Sequence, residues 1–110
     1  MLWEEVAKIK SQLDEALSTC RQNGYLLAEA EKRYRIAKAK KELELKKDGF
    51  PVTLIIDQAK GDDEVSQLAF ERDCALVTYK ANTEAILVKK LELKIMEAEL
   101  EREFGSNEQY

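Results

Sequence analysis

Four glutamates near the end of the chain stand at a spacing that chemistry can use. Glu97/Glu101 and Glu99/Glu103 are i,i+4 pairs, so on a helix each pair shares one face. Paired carboxylates can hold a divalent cation or pass a proton as acid and base. A di-iron centre in a helical bundle adds a histidine three residues after a glutamate, and this sequence has no histidine. The same lack excludes histidine-based acid–base catalysis, Ser-His and Cys-His nucleophile pairs, and most zinc and non-haem iron sites. The four glutamates therefore read as a solvated acidic face. Gly61-Asp62-Asp63-Glu64 gathers three carboxylates without the regular oxygen-ligand spacing of a calcium loop. Cys20 and Cys74 are isolated, with no CxxC pairing, and read as small, reduced apolar residues. No glycine-rich phosphate loop and no GxSxG elbow is present. The expectation is a protein that is not an enzyme, with no catalytic residues, metal, cofactor or small-molecule substrate.

The elements that position these residues are helical. Leu2, Val6, Ile9, Leu13, Ala16, Cys20, Asn23, Leu27, Ala30, Tyr34 and Ala37 follow one another at alternating steps of four and three. That is a heptad seam, and it predicts one helix over 2–47. Asn23-Gly24 is its weak point, since glycine inside a helix costs roughly 1 kcal/mol relative to alanine. The register survives across it, so a continuous helix is expected, with a bend as the alternative. A second seam runs through Val65, Leu68, Arg72, Ala75, Tyr79, Asn82, Ile86, Lys89, Leu93, Met96 and Leu100. It predicts a helix over 63–104, closed by Gly105 and followed by a flexible tail over 105–110.

Between the seams lies KKDGFPVTLIIDQAKGDDEV, residues 46–65, with the only proline of the chain. Lys46 and Lys47 suit the negative end of the first helix, and Gly49 suits a left-handed cap. Pro51 prevents continuation. Thr53 is expected to cap a short helix, 53–60, closed by Gly61. Asp62 or Asp63 is expected to cap the long helix that follows. A short connection makes the long helices antiparallel neighbours, each about 60–70 Å long at 1.5 Å per residue. The fold class is all-α: a long, coiled-coil-like antiparallel hairpin with a short helix in the connection, forming one domain over 1–104.

Both helices carry more apolar surface than one seam uses. Leu17, Leu26, Ile36 and Leu43 lie beside the first, and Ala69, Leu76, Leu87, Leu91, Ile95 and Ala98 beside the second. Covering that surface by homodimerisation into a four-helix bundle is the economical solution. Charge is segregated along the chain: residues 32–47 carry a net +6, residues 1–31 a net −3 and residues 48–110 a net −7. An antiparallel dimer would set one copy's basic end beside the other's acidic end. The basic segment is read chiefly as a solvated face. The alternative is a nucleic-acid surface built on Arg33, Arg35, Lys38, Lys40 and Lys41, with Tyr34 as a stacking residue. No apolar run approaches the roughly 20 residues that span a membrane. The opening MLWEEVAKIK lacks the basic region and apolar core of a secretion signal. No membrane association and a cytoplasmic location are therefore expected.

YRIAKAKKELELKKDGFPVTLIIDQAKGDDEV and VKKLELKIMEAELEREF together resemble a group of small helical proteins encoded by phages and prophages of Gram-positive bacteria. The resemblance covers roughly residues 25–104. Its most specific parts are Gly49-Phe50-Pro51-Val52-Thr53-Leu54-Ile55 and Gly61-Asp62-Asp63-Glu64-Val65. It implies an accessory protein made in the host cytoplasm, supporting replication or recombination or countering host defence by binding a host protein. It brings no catalytic site with it. From the residues themselves, Phe50, Leu54, Ile55 and Ile56 are more apolar than a chain reversal requires. They form the candidate surface for a protein partner; the alternative is that they plug the hairpin or the dimer core.

Overall fold

The computed structural model describes residues 2–108. It holds three helices in chain order: α1 (Leu2–Lys47), α2 (Val52–Lys60) and α3 (Asp63–Glu108). α1 packs against α3 as a hairpin with the short α2 between them. Every residue of both expected seams, from Leu2 to Ala37 and from Val65 to Leu100, is buried or half-buried. α1 is continuous through Gly24. A Cβ at that position would meet only the Tyr79 ring, at 3.5 Å, which is ordinary contact.

The helices form two compact units. One joins the part of α1 up to Gln22 with the part of α3 from Lys80, and the other spans Asn23–Tyr79. In the first, Trp3 meets Phe104 edge-to-face with ring centroids 5.8 Å apart. There too Lys89 Nζ donates to Gln12 Oε1 at 2.9 Å, so the lysine that interrupts the α3 seam is satisfied across the helix pair. Val6, Ile9, Ile86 and Leu100 form its buried positions. In the second unit the Arg72 guanidinium lies over the Tyr34 ring, 4.2 Å from its centroid. Arg72, another interruption of the seam, thus keeps its charge and covers an aromatic face. In both units rising numbers on α1 meet falling numbers on α3, as antiparallel helices require.

The turn out of α1 is a Schellman motif. Gly49 has φ +86°, the left-handed conformation that glycine adopts without a Cβ clash. Phe50 N donates to Leu45 O at 3.0 Å and Gly49 N to Lys46 O at 3.2 Å, which satisfies two carbonyls that the helix end leaves open. Two expected boundaries need correction. Thr53 does not cap α2. The helix begins at Val52 with Pro51 extended in front of it at ψ 140° and no side-chain cap, and Leu54 N reaches Pro51 O at 2.9 Å. Proline fixes the entry conformation itself, so no hydroxyl is needed. Gly105 does not end α3, which continues to Glu108. A lone glycine costs a helix only about 1 kcal/mol and needs a following breaker to stop it. The tail expected over 105–110 is helical as far as Glu108, and its last two residues lie outside the described residues.

Asp62 is the cap of α3. Its Oδ2 accepts from Val65 N at 3.2 Å, and its carbonyl accepts from Ser66 N at 2.8 Å. The same carboxylate lies 3.5 Å from Lys41 Nζ on α1. That carboxylate, with help from Glu44, raises the Lys41 ammonium above the ordinary lysine value. Asp62→Ala is expected to cost about 1 kcal/mol, the usual worth of an N-cap. Asp62→Asn should keep most of that, because the amide oxygen still caps while the charge is lost. Urea unfolding of both variants measures the split.

Candidate interaction surfaces

α2 has nine residues, VTLIIDQAK, and its helical phase divides the apolar ones. Ile55 and Ala59, one turn apart, point inward and form a buried cluster with Leu45 of α1. Ala59 is fully buried and Ile55 is 8% exposed. Leu54 and Ile56 point away, at 47% and 52% exposed, with Phe50 in the preceding turn at 39%. Of the four residues expected to form a partner surface, the structure thus places three outward and puts Ile55 in the core. Ile55 belongs to the plug reading and the others to the surface reading. Val52 is also exposed and was not among the expected four. Its i,i+4 spacing from Ile56 is the signal that would have found it, just as Ala59 at i+4 would have marked Ile55 as inward.

Three of the basic residues in 32–47 pair with neighbouring carboxylates. Arg35 pairs with Glu31 at 3.4 Å, Lys38 with Glu42 at 3.8 Å, and Lys41 with Glu44 and Asp62, both at 3.5 Å. Arg33 and Lys40 are exposed and make no ion pair among the described residues. Tyr34 is half-buried and one face of its ring carries the Arg72 guanidinium. A base cannot stack there without displacing that cation. The i,i+4 pairs around Arg35 and Lys38 are exposed or half-exposed and each contributes only about 0.3–0.5 kcal/mol, so they describe a solvated helix face.

Two further surfaces were not anticipated from sequence. Trp3, Val6, Lys10, Glu97, Leu100, Glu101 and Phe104 line an open groove of about 480 Å³, in which Trp3 and Phe104 stay substantially exposed. The two rings come from residues about a hundred positions apart, so only the antiparallel pairing brings them together. On α3, Phe70, Cys74 and Val77 are exposed on one face and line a shallow, mostly apolar depression. Cys20 is half-buried and Cys74 exposed, both free. Glu97, Glu99, Glu101 and Glu103 are all exposed. Among the described residues no group of three or more His, Cys, Asp or Glu side chains is placed to hold a metal ion. Among the described residues no helix is long and apolar enough to cross a membrane.

The chain matches no protein-family model, no curated protein and no solved structure.

Proposed function

We propose that this chain is a non-enzymatic, phage-type accessory protein that works in the host cytoplasm by binding another protein. In that role it inhibits a host defence component or assists replication or recombination, and it acts as a homodimer. The observation that carries the reading is the division of α2. A nine-residue helix that only reversed the chain would need one apolar face, and Ile55 with Ala59 supplies it. On either side of it Val52 and Ile56 on one flank and Leu54 on the other, with Phe50 in the preceding turn, are apolar and exposed to solvent. Exposed apolar side chains grouped on a short helix and the turn before it suit a protein contact. The excess apolar surface of α1 and α3 supports the dimer.

A photo-crosslinking amino acid placed at Leu54 tests the protein contact in living cells. The proposal predicts a discrete covalent adduct with another protein on irradiation, and no such adduct from the same amino acid at Glu29, which is exposed on α1. Equal labelling from both positions, or none from Leu54, would overturn it.

The nucleic-acid reading has one observation in its favour: Lys32, Arg33, Lys40, Lys46 and Lys47 are exposed and make no ion pair among the described residues. It competes with the capped Tyr34 ring and the internal ion pairs. Titration with single- and double-stranded DNA at two salt concentrations separates the readings. The protein-binding reading predicts affinity no tighter than nonspecific binding. Tight binding with a steep salt slope, abolished by charge reversal at Lys38, Lys40 and Lys41, would support the basic segment instead.

A further inference from the structure

α3 has a second apolar stripe on the side away from its seam, and within the unit that starts at Lys80 its one interruption is Glu84, beside Ala85. Ala81, Ala85, Val88, Leu91, Ile95 and Ala98 follow at steps of four, three, three, four and three. All six are exposed, Leu91 at 60%. The buried or half-buried seam of the same segment is Asn82, Ile86, Lys89, Leu93, Met96 and Leu100. Leu91 stands two residues from both Lys89 and Leu93, a rotation of about 200° at 3.6 residues per turn. A heptad-spaced row opposite the first seam, apolar but for Glu84, has the form of another helix-packing surface.

We propose that this stripe is a homodimer interface in which α3 of one copy packs antiparallel against α3 of a second, Val88 of each facing Leu91 of the other. This rests on the reading of the chain as a self-associating binding protein and deepens it by assigning the surface and the register. The flanking charges select that arrangement. With Val88 opposite Leu91, the rows place Ala81 opposite Ala98, and Glu84 opposite Ile95 rather than opposite its own copy. Along the flanks Lys80 meets Glu101 of the second copy, and symmetry repeats the pair. The remaining flank neighbours are Leu87 with Lys94 and Ala85 with Glu92, so no like charges meet. Sliding the copies by one heptad in one direction sets Lys80 against Lys94. Sliding in the other sets Lys94 against Lys94 and Glu92 against Glu92. A parallel dimer would put Glu84 against its own copy in the row between Ala81 and Leu91. Like-charge juxtapositions at such positions are disfavoured, and the Val88–Leu91 register alone avoids them while adding two opposite-charge pairs.

The test is sedimentation equilibrium of the full chain, with far-UV circular dichroism to confirm that each variant stays helical. The wild type is expected to dimerise. Leu91→Glu, which sets a carboxylate at the centre of the row, should weaken the dimer at least about 100-fold. Lys80→Glu and Glu101→Lys should each weaken it by roughly tenfold at low salt, since each turns two attractive pairs into repulsive ones. The double variant K80E/E101K should return close to wild-type affinity, which a disturbance of α3 itself would not produce. A wild type that stays monomeric at all concentrations overturns both the interface and the dimer on which it rests. A wild type that dimerises equally well with Leu91→Glu overturns the interface alone. Loss with Leu91→Glu but no rescue by the charge exchange overturns the register.

Discussion

Ile55→Ala is expected to lower the free energy of unfolding by about 2–3 kcal/mol, while Leu54→Ala, one position away, leaves it within about 0.5 kcal/mol. The two residues are adjacent on the same short helix and of similar size. What separates them is phase. Ile55 packs with Leu45 and Ala59, and its truncation removes buried methyl groups and leaves a cavity that the neighbouring helix can only partly close. The expected cost lies toward the low end of the range for Ile→Ala, because the cluster is small. Leu54 is about half exposed, and substitutions at such positions typically stay within about 0.5 kcal/mol. Urea unfolding at unchanged m-value measures both. If both variants lost stability alike, α2 would not divide its apolar residues between core and surface, and the proposed partner face would lose its basis.

Val65→Asp should have a larger effect, about 4 kcal/mol or more at neutral pH. Val65 is 1% exposed in the first turn of α3. The substitution forfeits the burial of an apolar side chain, about 1.5–3 kcal/mol, and adds a carboxylate at a position closed to water. Total stability for a small domain is of the order of 5–15 kcal/mol, so a large fraction would be lost. The destabilisation should also depend on pH. Burial raises the introduced carboxyl above the ordinary aspartate value of about 3.9. A group whose pKa is raised by folding favours the folded state most at pH values below its unfolded pKa. That advantage is lost as pH rises through the folded value. The gap in melting temperature between variant and wild type should therefore be narrower at pH 4 than at pH 7, and calorimetry at the two pH values reads it directly.

The long helices were legible in the sequence because a heptad seam is a physical constraint repeated many times. A single misplaced residue such as Arg72 or Lys89 does not disturb it, and both found a partner without leaving the seam. The end of α1 was legible because Gly49 and Pro51 each act through local backbone geometry. The start of α2 was not, because proline and threonine both begin helices and composition does not rank them. The end of α3 was misread for a related reason: glycine weakens a helix everywhere but does not by itself end one. The partner surface was legible as a set but not in its parts. Four apolar residues close together on a nine-residue helix and the turn before it reveal that some face must be buried. Which one depends on the position of Leu45, a contact that no local pattern encodes. The pairing of Trp3 with Phe104 is non-local in the same way.

The central claim is that the outward residues of α2 bind another protein, and one paired capture tests it most directly. The wild-type chain and a F50S/L54S/I56S variant, tagged identically, would be expressed at equal levels in the same cells and recovered with their bound proteins. Quantitative mass spectrometry would then compare the two. All three positions are exposed, so the variant should remain folded, which circular dichroism and urea unfolding would verify. The predicted result is at least one protein recovered about tenfold or more in excess with the wild type. Equal recovery of every protein by a folded variant would contradict the account.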